Sequence, residues 1–160
     1  MEEILIRKIT ANEVDSAMAL ALEVFLQFEA PVYPPQGTET FRKDIVENPE
    51  YLEQARSGAC PIYGAFDGDK LVALMGMRSN KTHINLVFTK NEYHRRGIAR
   101  AIFRYLLQDQ LRENPELEAL TLNSSPYGLP FYTAIGFLPL CEEQEINGIR
   151  FTPMRYSVPR

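Results

Sequence analysis

A short basic turn joins two apolar segments in the middle of the chain. The turn, His94, Arg95, Arg96 and Gly97, follows the β-branched stretch HINLVFT, which begins at His83 and predicts a strand. Apolar residues then recur at helical spacing, at Ile98, Ile102, Phe103, Leu106 and Leu107. The first N–H groups of a helix have no partner within the helix and attract anions. The segment therefore predicts a strand, a phosphate-binding turn and a helix.

The charge of this turn contrasts with that of the whole chain. The cluster of basic residues comprises Arg95, Arg96, Arg100 and Arg104. The 160 residues together carry a formal net charge of -4, which argues against a nucleic-acid-binding domain built on this cluster. A solvated helix face is the usual explanation of such a charge run. Gly97 and Ala99 favour ligand binding instead, because small residues let a ligand approach the backbone closely.

Length and composition predict one globular domain over residues 1–160. The chain is 45% hydrophobic and 24% charged, and no apolar run approaches the roughly 20 residues that span a membrane. Its start is too acidic for a signal peptide, so we expect a cytoplasmic protein. Cys60 and Cys141 stand in apolar surroundings and are predicted to be buried free thiols, with no metal site.

The first part of the chain predicts a strand followed by helices. Ile4 and Ile6 alternate with polar residues, as in a strand. One face of the next segment is apolar at helical spacing, at Val14, Met18, Leu22, Phe25 and Leu26. We expect this helix to end before Pro31, because proline interrupts a helix interior.

Prolines and a glycine mark the segment after that helix. Residues 30–37 contain three prolines and one glycine, which predicts a loop on which Tyr33 is exposed. Thr38 is expected to cap a short helix, and residues 49–57 predict a further turn or helix.

The middle of the chain predicts an antiparallel meander. The stretch CPIYGAFDGDKLVALMGMRS predicts two strands joined at Asp67-Gly68-Asp69, because an Asp-Gly pair supplies the positive φ of a hairpin turn. HINLVFT follows as the third strand of the meander. After the helix, LEALTLNSS predicts one more strand.

The last part of the chain predicts a short helix and a hairpin. Ser125 followed by Pro126 is a typical helix start, and Gly136 is expected to end that helix. The final hairpin is expected to turn at Asn147-Gly148. This order of elements predicts a single mixed α/β domain.

Two motifs in this order of elements resemble those of a known family. The residues HRRGIA, beginning at His94, resemble the pyrophosphate-binding motif of the GCN5-related N-acetyltransferase superfamily, Gln/Arg-x-x-Gly-x-Gly/Ala, with histidine at the first position. LVFTKNEY resembles the fourth strand of that superfamily and its approach to the motif. SSPYGLPFYTAIGF resembles the second signature. The resemblance covers residues 1–157.

The resemblance implies a fold and a cofactor. The fold is α/β, with a mixed central sheet, an antiparallel meander of the second to fourth strands, flanking helices, and a cleft where the fourth and fifth strands splay apart. Acetyl-CoA is expected in that cleft. The backbone of Val87, Phe88 and Thr89 would pair with the pantetheine arm, and one N–H group there would stabilise the thioester oxygen as it gains charge.

The resemblance also implies further cofactor contacts. The backbone N–H groups of residues 95–100 would surround the pyrophosphate, and these residues are Arg95, Arg96, Gly97, Ile98, Ala99 and Arg100. The second signature often has asparagine seven residues before its tyrosine. That position is Ser125 here, with Asn123 two residues earlier, and either residue is a candidate contact. Tyr127 is expected to line the cofactor cleft.

Acetyl transfer to an amine needs a base and a proton donor. Tyr132 is the predicted acid that protonates the leaving thiolate, because the resemblance puts it at the general-acid position of the family. His83 is the candidate base, with a structural hydrogen bond as the alternative role. Glu118 is a weaker alternative as base, and Glu23 is a candidate for base or for binding of the substrate amine.

These residues predict an acetyl-CoA-dependent N-acetyltransferase that acts directly on a primary amine. A non-catalytic acyl-CoA-binding or regulatory module with the same fold is the alternative. The acceptor would be a small molecule or a peptide amine, selected by residues 28–57 and by the final hairpin. That hairpin also makes a homodimer possible, because it presents strands to a second copy.

Overall fold

The computed structural model describes residues 3–159, so residues 1, 2 and 160, which include most of the acidic start, lie outside the described residues. The sheet has the order β1 (Ile4–Lys8), β2 (Ile62–Asp67), β3 (Lys70–Met77), β4 (His83–Thr89), β5 (Ala119–Ser124), β8 (Ile149–Ser157) and β6 (Leu138–Pro139). β7 (Gln144–Ile146) pairs with β8 outside this order. The β2–β3–β4 meander is antiparallel and β4 is parallel to β5, so the prediction of a mixed α/β sheet is confirmed.

Helices cover both faces of the sheet. They are α1 (Val14–Val24), α2 (Pro35–Phe41), α3 (Pro49–Ser57), α4 (Ile98–Glu113) and α5 (Leu129–Ile135). α1 and α2 each continue into a wider π-helical turn, Phe25–Glu29 and Arg42–Val46. The apolar faces of α1 and α3 form one core with the sheet, while α4 and α5 form another on the opposite face.

The segment between α1 and α2 differs from its prediction. The helical path does not end before Pro31, because Ala30–Val32 forms a 3-10 turn that accepts Pro31 in its first turn. Pro35 begins α2, so residues 35–37 are helical instead of part of the predicted loop, and Thr38 lies inside the helix instead of capping it. Tyr33 is buried, not exposed, because its hydroxyl donates to the Arg150 backbone oxygen at 3.0 Å.

Two other predictions need correction. α5 begins at Leu129 and not at Ser125, because the Ser125 Oγ accepts the Gly128 N–H at 3.0 Å and holds a turn before the helix. Cys141 is exposed, because it lies where the chain leaves the sheet between β6 and β7. Cys60 is a buried free thiol, as predicted.

The two predicted hairpin turns are present. Gly68 has a φ of 62° between β2 and β3, and Asn147 and Gly148 have φ values of 52° and 81° between β7 and β8. The first arm of the final hairpin is split into β6 and β7, and both pair with the long strand β8.

Candidate active site

The site begins where β4 and β5 separate. The two strands pair at His83 with Thr121 and at Ile84 with Leu122, and the rest of β4 has no β5 partner. The Lys90 N–H donates to the Val72 oxygen of β3 at 2.9 Å. Because backbone groups alternate along a strand, the N–H of Phe88 faces β3, whereas those of Val87 and Thr89 face the cleft. The cleft therefore has two open backbone donors.

A cavity of about 900 Å³ lies on one side of this cleft. Most of the predicted cofactor residues line it, namely Val87, Thr89, Arg95, Gly97, Ile98, Ala99, Arg100, Ser125 and Tyr127. Gly97 precedes α4 with a φ of 75°, and Arg95 has a φ of 63°. This left-handed backbone turns the chain sharply, so that the N-terminus of α4 opens onto the cavity.

The other predicted cofactor residues lie elsewhere. The Arg96 guanidinium stacks 5.1 Å from the Tyr93 ring centroid, and Arg96 is not among the residues that line the large cavity. Phe88 and Asn123 line a second cavity on the other side of the cleft.

His94 connects the turn to the strand. Its Nε2 donates to the Thr89 backbone oxygen at 2.6 Å, so the ring carries its proton on Nε2. Its ring also contacts Phe28 of the α1 extension, with centroids 4.9 Å apart. His94 therefore supports the wall of the large cavity at the end of β4.

The second cavity has a volume of about 360 Å³ and aromatic walls. The rings of Phe25 and Phe41 are stacked with centroids 4.3 Å apart, and Phe41 meets Phe88 edge-on at 5.6 Å. Polar residues His83 and Arg78 line one part of this cavity. Its size and apolar walls suit a small ligand.

The two cavities meet at four of the described residues. Glu29, Val87, Ser125 and Tyr132 line both. Burial raises the pKa of the Glu29 carboxyl to about 7. Burial and the nearby Glu29 raise the pKa of Tyr132 above its usual value, so the phenol keeps its proton across the neutral range. The junction thus combines a carboxylate that titrates near neutrality with a protonated hydroxyl.

Glu29 is a candidate site residue that was not predicted from the sequence. Its signal was its position four residues after Phe25, which puts a carboxylate on the buried side of the helical path. Glu23, the candidate on the same helix, is exposed. Glu118 is also exposed and lines neither of the two cavities.

His83 is partly buried and lines the smaller cavity. Its Nδ1 lies 2.8 Å from the Thr121 hydroxyl, and burial together with the charge of Arg78 lowers its pKa to about 4. The imidazole is therefore neutral at physiological pH. Three residues of β4 separate it from Val87 at the junction.

The described residues contain neither a metal-ligand cluster nor a membrane-spanning helix. Among residues 3–159, no group of three or more His, Cys, Asp or Glu side chains is arranged to hold a metal ion. No helix in the described part of the chain has the length and apolar composition needed to cross a bilayer.

The splayed strands and the turn before α4 agree with a comparison of the sequence with protein families. A model described as an acetyltransferase (GNAT) domain matches residues 29–158. The chain belongs to this family of acetyltransferases, and it is an enzyme of that class. A comparison with curated protein sequences found no match.

Solved structures share the fold along the whole chain. A GCN5-related N-acetyltransferase from Rhodopseudomonas palustris has a TM-score of 0.80 and 17% identity, covering 99% of this chain and 98% of that one. The PaiA N-acetyltransferase from Thermoplasma acidophilum, in complex with coenzyme A, has a TM-score of 0.74 and 17% identity, with coverage of 98% and 99%. A probable acetyltransferase from Staphylococcus epidermidis has a TM-score of 0.72 and 19% identity, with coverage of 98% and 100%.

Proposed function

We propose that this protein transfers an acetyl group from acetyl-CoA directly to a primary amine. The observation that carries the proposal is the junction of the two cavities, where a carboxylate and a phenol, Glu29 and Tyr132, both reach the same space. The larger cavity would hold the cofactor and the smaller one the acceptor. Membership of the acetyltransferase family and the coenzyme A complex of the T. acidophilum protein support this assignment.

The larger cavity suits a phosphorylated thioester cofactor. The N–H groups of Val87 and Thr89 are free of β3 and are available to the pantetheine arm and to the thioester oxygen. The N-terminus of α4, with Arg95 and Arg100 beside it, offers partners for the pyrophosphate. Ser125 and Tyr127 would complete the wall. Acetyl-CoA supplies the activated acetyl group, and the chain supplies orientation and proton transfer.

Two side chains would move the protons. An amine must lose a proton to become a nucleophile, and Glu29, with a pKa near neutrality, is suited to accept it. The thiolate that leaves needs a proton, and Tyr132 offers a protonated hydroxyl that lines the junction. His83 is less suited to be the base, because its lowered pKa makes it a weak one. We therefore assign Glu29 as base and Tyr132 as acid.

The test is release of free thiol from acetyl-CoA by the purified full chain with a panel of primary amines. Acetylated products are confirmed by mass. We expect turnover with some of the amines, and loss of turnover in Glu29→Gln with coenzyme A binding retained. Tight coenzyme A binding without turnover of any amine would instead favour the non-catalytic acyl-CoA-binding module.

A further inference from the structure

Arg78 has a fixed backbone and a side chain that lines the acceptor cavity. It follows β3 directly, and its N–H donates to the His83 oxygen at 2.9 Å. Its charge adds to burial in lowering the pKa of His83, so the guanidinium lies close enough to act on the imidazole. In the described part of the chain, Arg78 forms no ion pair and no side-chain hydrogen bond. A guanidinium in this position can bind a ligand carboxylate.

The other residues that line the cavity near Arg78 are uncharged. The neutral imidazole of His83 has its Nδ1 2.8 Å from the Thr121 hydroxyl, and the Asn85 Oδ1 is buried without a hydrogen-bond partner among the described residues. Among the described residues that line this cavity, Arg78 is the only cation. Two carboxylates line the cavity, Glu29 and Asp44, and neither pairs with Arg78.

A carboxylate lies at the end of the cavity away from Arg78. Glu29 lies at the junction with the cofactor cavity, next to Val87. Val87 and His83 are four positions apart on β4, which corresponds to about 13 Å. The Arg78 and Glu29 side chains both line the cavity and occupy part of that length. Aromatic side chains also line this cavity, and Phe41 contacts both Phe25 and Phe88.

We propose, on the basis of the function proposed above, that the acceptor is a primary amine with a carboxylate at the far end of an apolar body, about as long as a dipeptide, and that Arg78 binds this carboxylate. The ammonium group of such a molecule faces Glu29 while its apolar body contacts the phenylalanines. A polyamine of the same length fits less well, because its second cation would lie beside Arg78.

The experiment compares matched acceptors at saturating acetyl-CoA, with thiol release as the readout. The acceptors are leucylphenylalanine, its C-terminal amide, phenylalanine and spermidine. The dipeptide is expected to have a kcat/KM about tenfold or more above that of its amide, since a hydrogen bond to a charged group is lost in the amide. Arg78→Gln should raise the KM of the dipeptide until its kcat/KM equals that of the amide. The kcat/KM of the amide should not change.

Two variants serve as controls. Arg78→Lys keeps the charge and should recover only part of the preference, because an ammonium lacks the two-pronged geometry of a guanidinium. Arg56→Gln removes an arginine of similar exposure that pairs with Asp15 on the surface, and it should behave like the wild type. Coenzyme A affinity is measured in each variant to confirm an intact fold.

Other results would overturn the proposal. Three results would each refute the role of Arg78 while leaving amine acetylation intact. They are an equal kcat/KM for the dipeptide and its amide, a preference for spermidine, and an equal loss of kcat/KM on both acceptors in Arg78→Gln. A lack of turnover with every amine, in a chain that still binds coenzyme A, would refute the proposed function itself.

Discussion

The His94 imidazole donates from Nε2 to the Thr89 backbone oxygen at 2.6 Å. This hydrogen bond connects the basic turn to the end of β4, the strand whose Val87 and Thr89 N–H groups face the cleft. The motif that this turn resembles has glutamine or arginine at this position, and both are also hydrogen-bond donors. His94 is likewise a donor, to the Thr89 backbone oxygen.

The first prediction concerns this bond. His94→Ala removes the donor and should weaken coenzyme A binding about three- to tenfold, the range for one neutral hydrogen bond. His94→Gln restores an N–H donor and should bind nearly as well as the wild type. Calorimetric titration with coenzyme A measures both. Equal losses in the two variants would show that the ring contact with Phe28 matters more than the hydrogen bond.

The pH dependence of catalysis should follow Glu29. Because its pKa is raised to about 7, the carboxyl is protonated below that pH and cannot accept a proton, so kcat/KM should fall on the acid side with an apparent pKa near 7. Glu29→Gln should remove this limb and lower kcat/KM about 100-fold at pH 8. Glu23→Gln, on the same helix but exposed, is the matched control. An unchanged acid limb in Glu29→Gln would exclude Glu29 as the base.

Glu29 should also affect the free energy of unfolding. Its contribution should decrease as the pH rises, whereas kcat/KM should increase. Its folded pKa is raised above the unfolded value of 4.5, so its favourable contribution is present at low pH and is lost as the pH rises through about 7. Glu29→Gln should therefore gain stability relative to the wild type between pH 5 and pH 8, by at most about 3 kcal/mol. Denaturant unfolding at the two pH values measures the difference. If the difference in unfolding free energy between Glu29→Gln and the wild type is the same at pH 5 and pH 8, the Glu29 carboxyl is well solvated.

Local pattern predicted much of the fold but only part of the site. β4, the turn and α4 were predicted because their periodicity and glycine are local features, and Asp-Gly and Asn-Gly pairs identified the hairpins. Glu29 was missed because its role depends on the π-helical turn after α1, which brings it beside Tyr132, a residue remote in sequence. The burial of Tyr33 depends in the same way on a partner in β8.

Two arginines of α4, Arg100 and Arg104, should differ in their contribution to coenzyme A affinity. Arg100 lines the large cavity, whereas Arg104, one turn later, is exposed and lines neither cavity. Arg100→Ala should weaken coenzyme A binding about tenfold, as expected for a charge-assisted hydrogen bond to phosphate, and the loss should shrink at high salt. Arg104→Ala should have little effect on affinity. Equal losses would indicate general electrostatic attraction instead of a specific contact.

The buried carboxylate of Asp109 on α4 should make stability depend on acid pH. Burial raises the pKa of Asp109, but hydrogen bonds from Tyr63 at 2.6 Å and from Lys8 and Arg112 outweigh this, and the net pKa is lowered. Its stabilising contribution is present above the unfolded pKa of 3.8 and is lost as the pH falls through the lower folded value. Asp109→Asn should cost about 1–3 kcal/mol of unfolding free energy at pH 7 and less at pH 2. Asp15→Asn, in a largely exposed ion pair, is the control, and an equal loss from Asp109→Asn at both pH values would point to packing instead of charge.

The last prediction separates the hydroxyl of Tyr132 from its ring. The ring packs edge-on against Phe137, with centroids 5.9 Å apart, and phenylalanine fills the same space. Tyr132→Phe should therefore fold normally and bind coenzyme A, but its kcat should fall about 100-fold, because the thiolate loses its proton donor. Tyr105→Phe, which removes a hydroxyl from α4 away from both cavities, is the matched control.

A second variant tests the position of the same hydroxyl. A Cβ added at Gly128 would lie 2.7 Å from Tyr132 Cε2, so Gly128→Ala must displace the ring while leaving the phenol present. Its kcat should also fall, with coenzyme A affinity less affected. Wild-type kcat in Tyr132→Phe would rule out the acid role. A loss in Tyr132→Phe together with full activity in Gly128→Ala would mean that the hydroxyl is needed but that its position tolerates a shift of the ring.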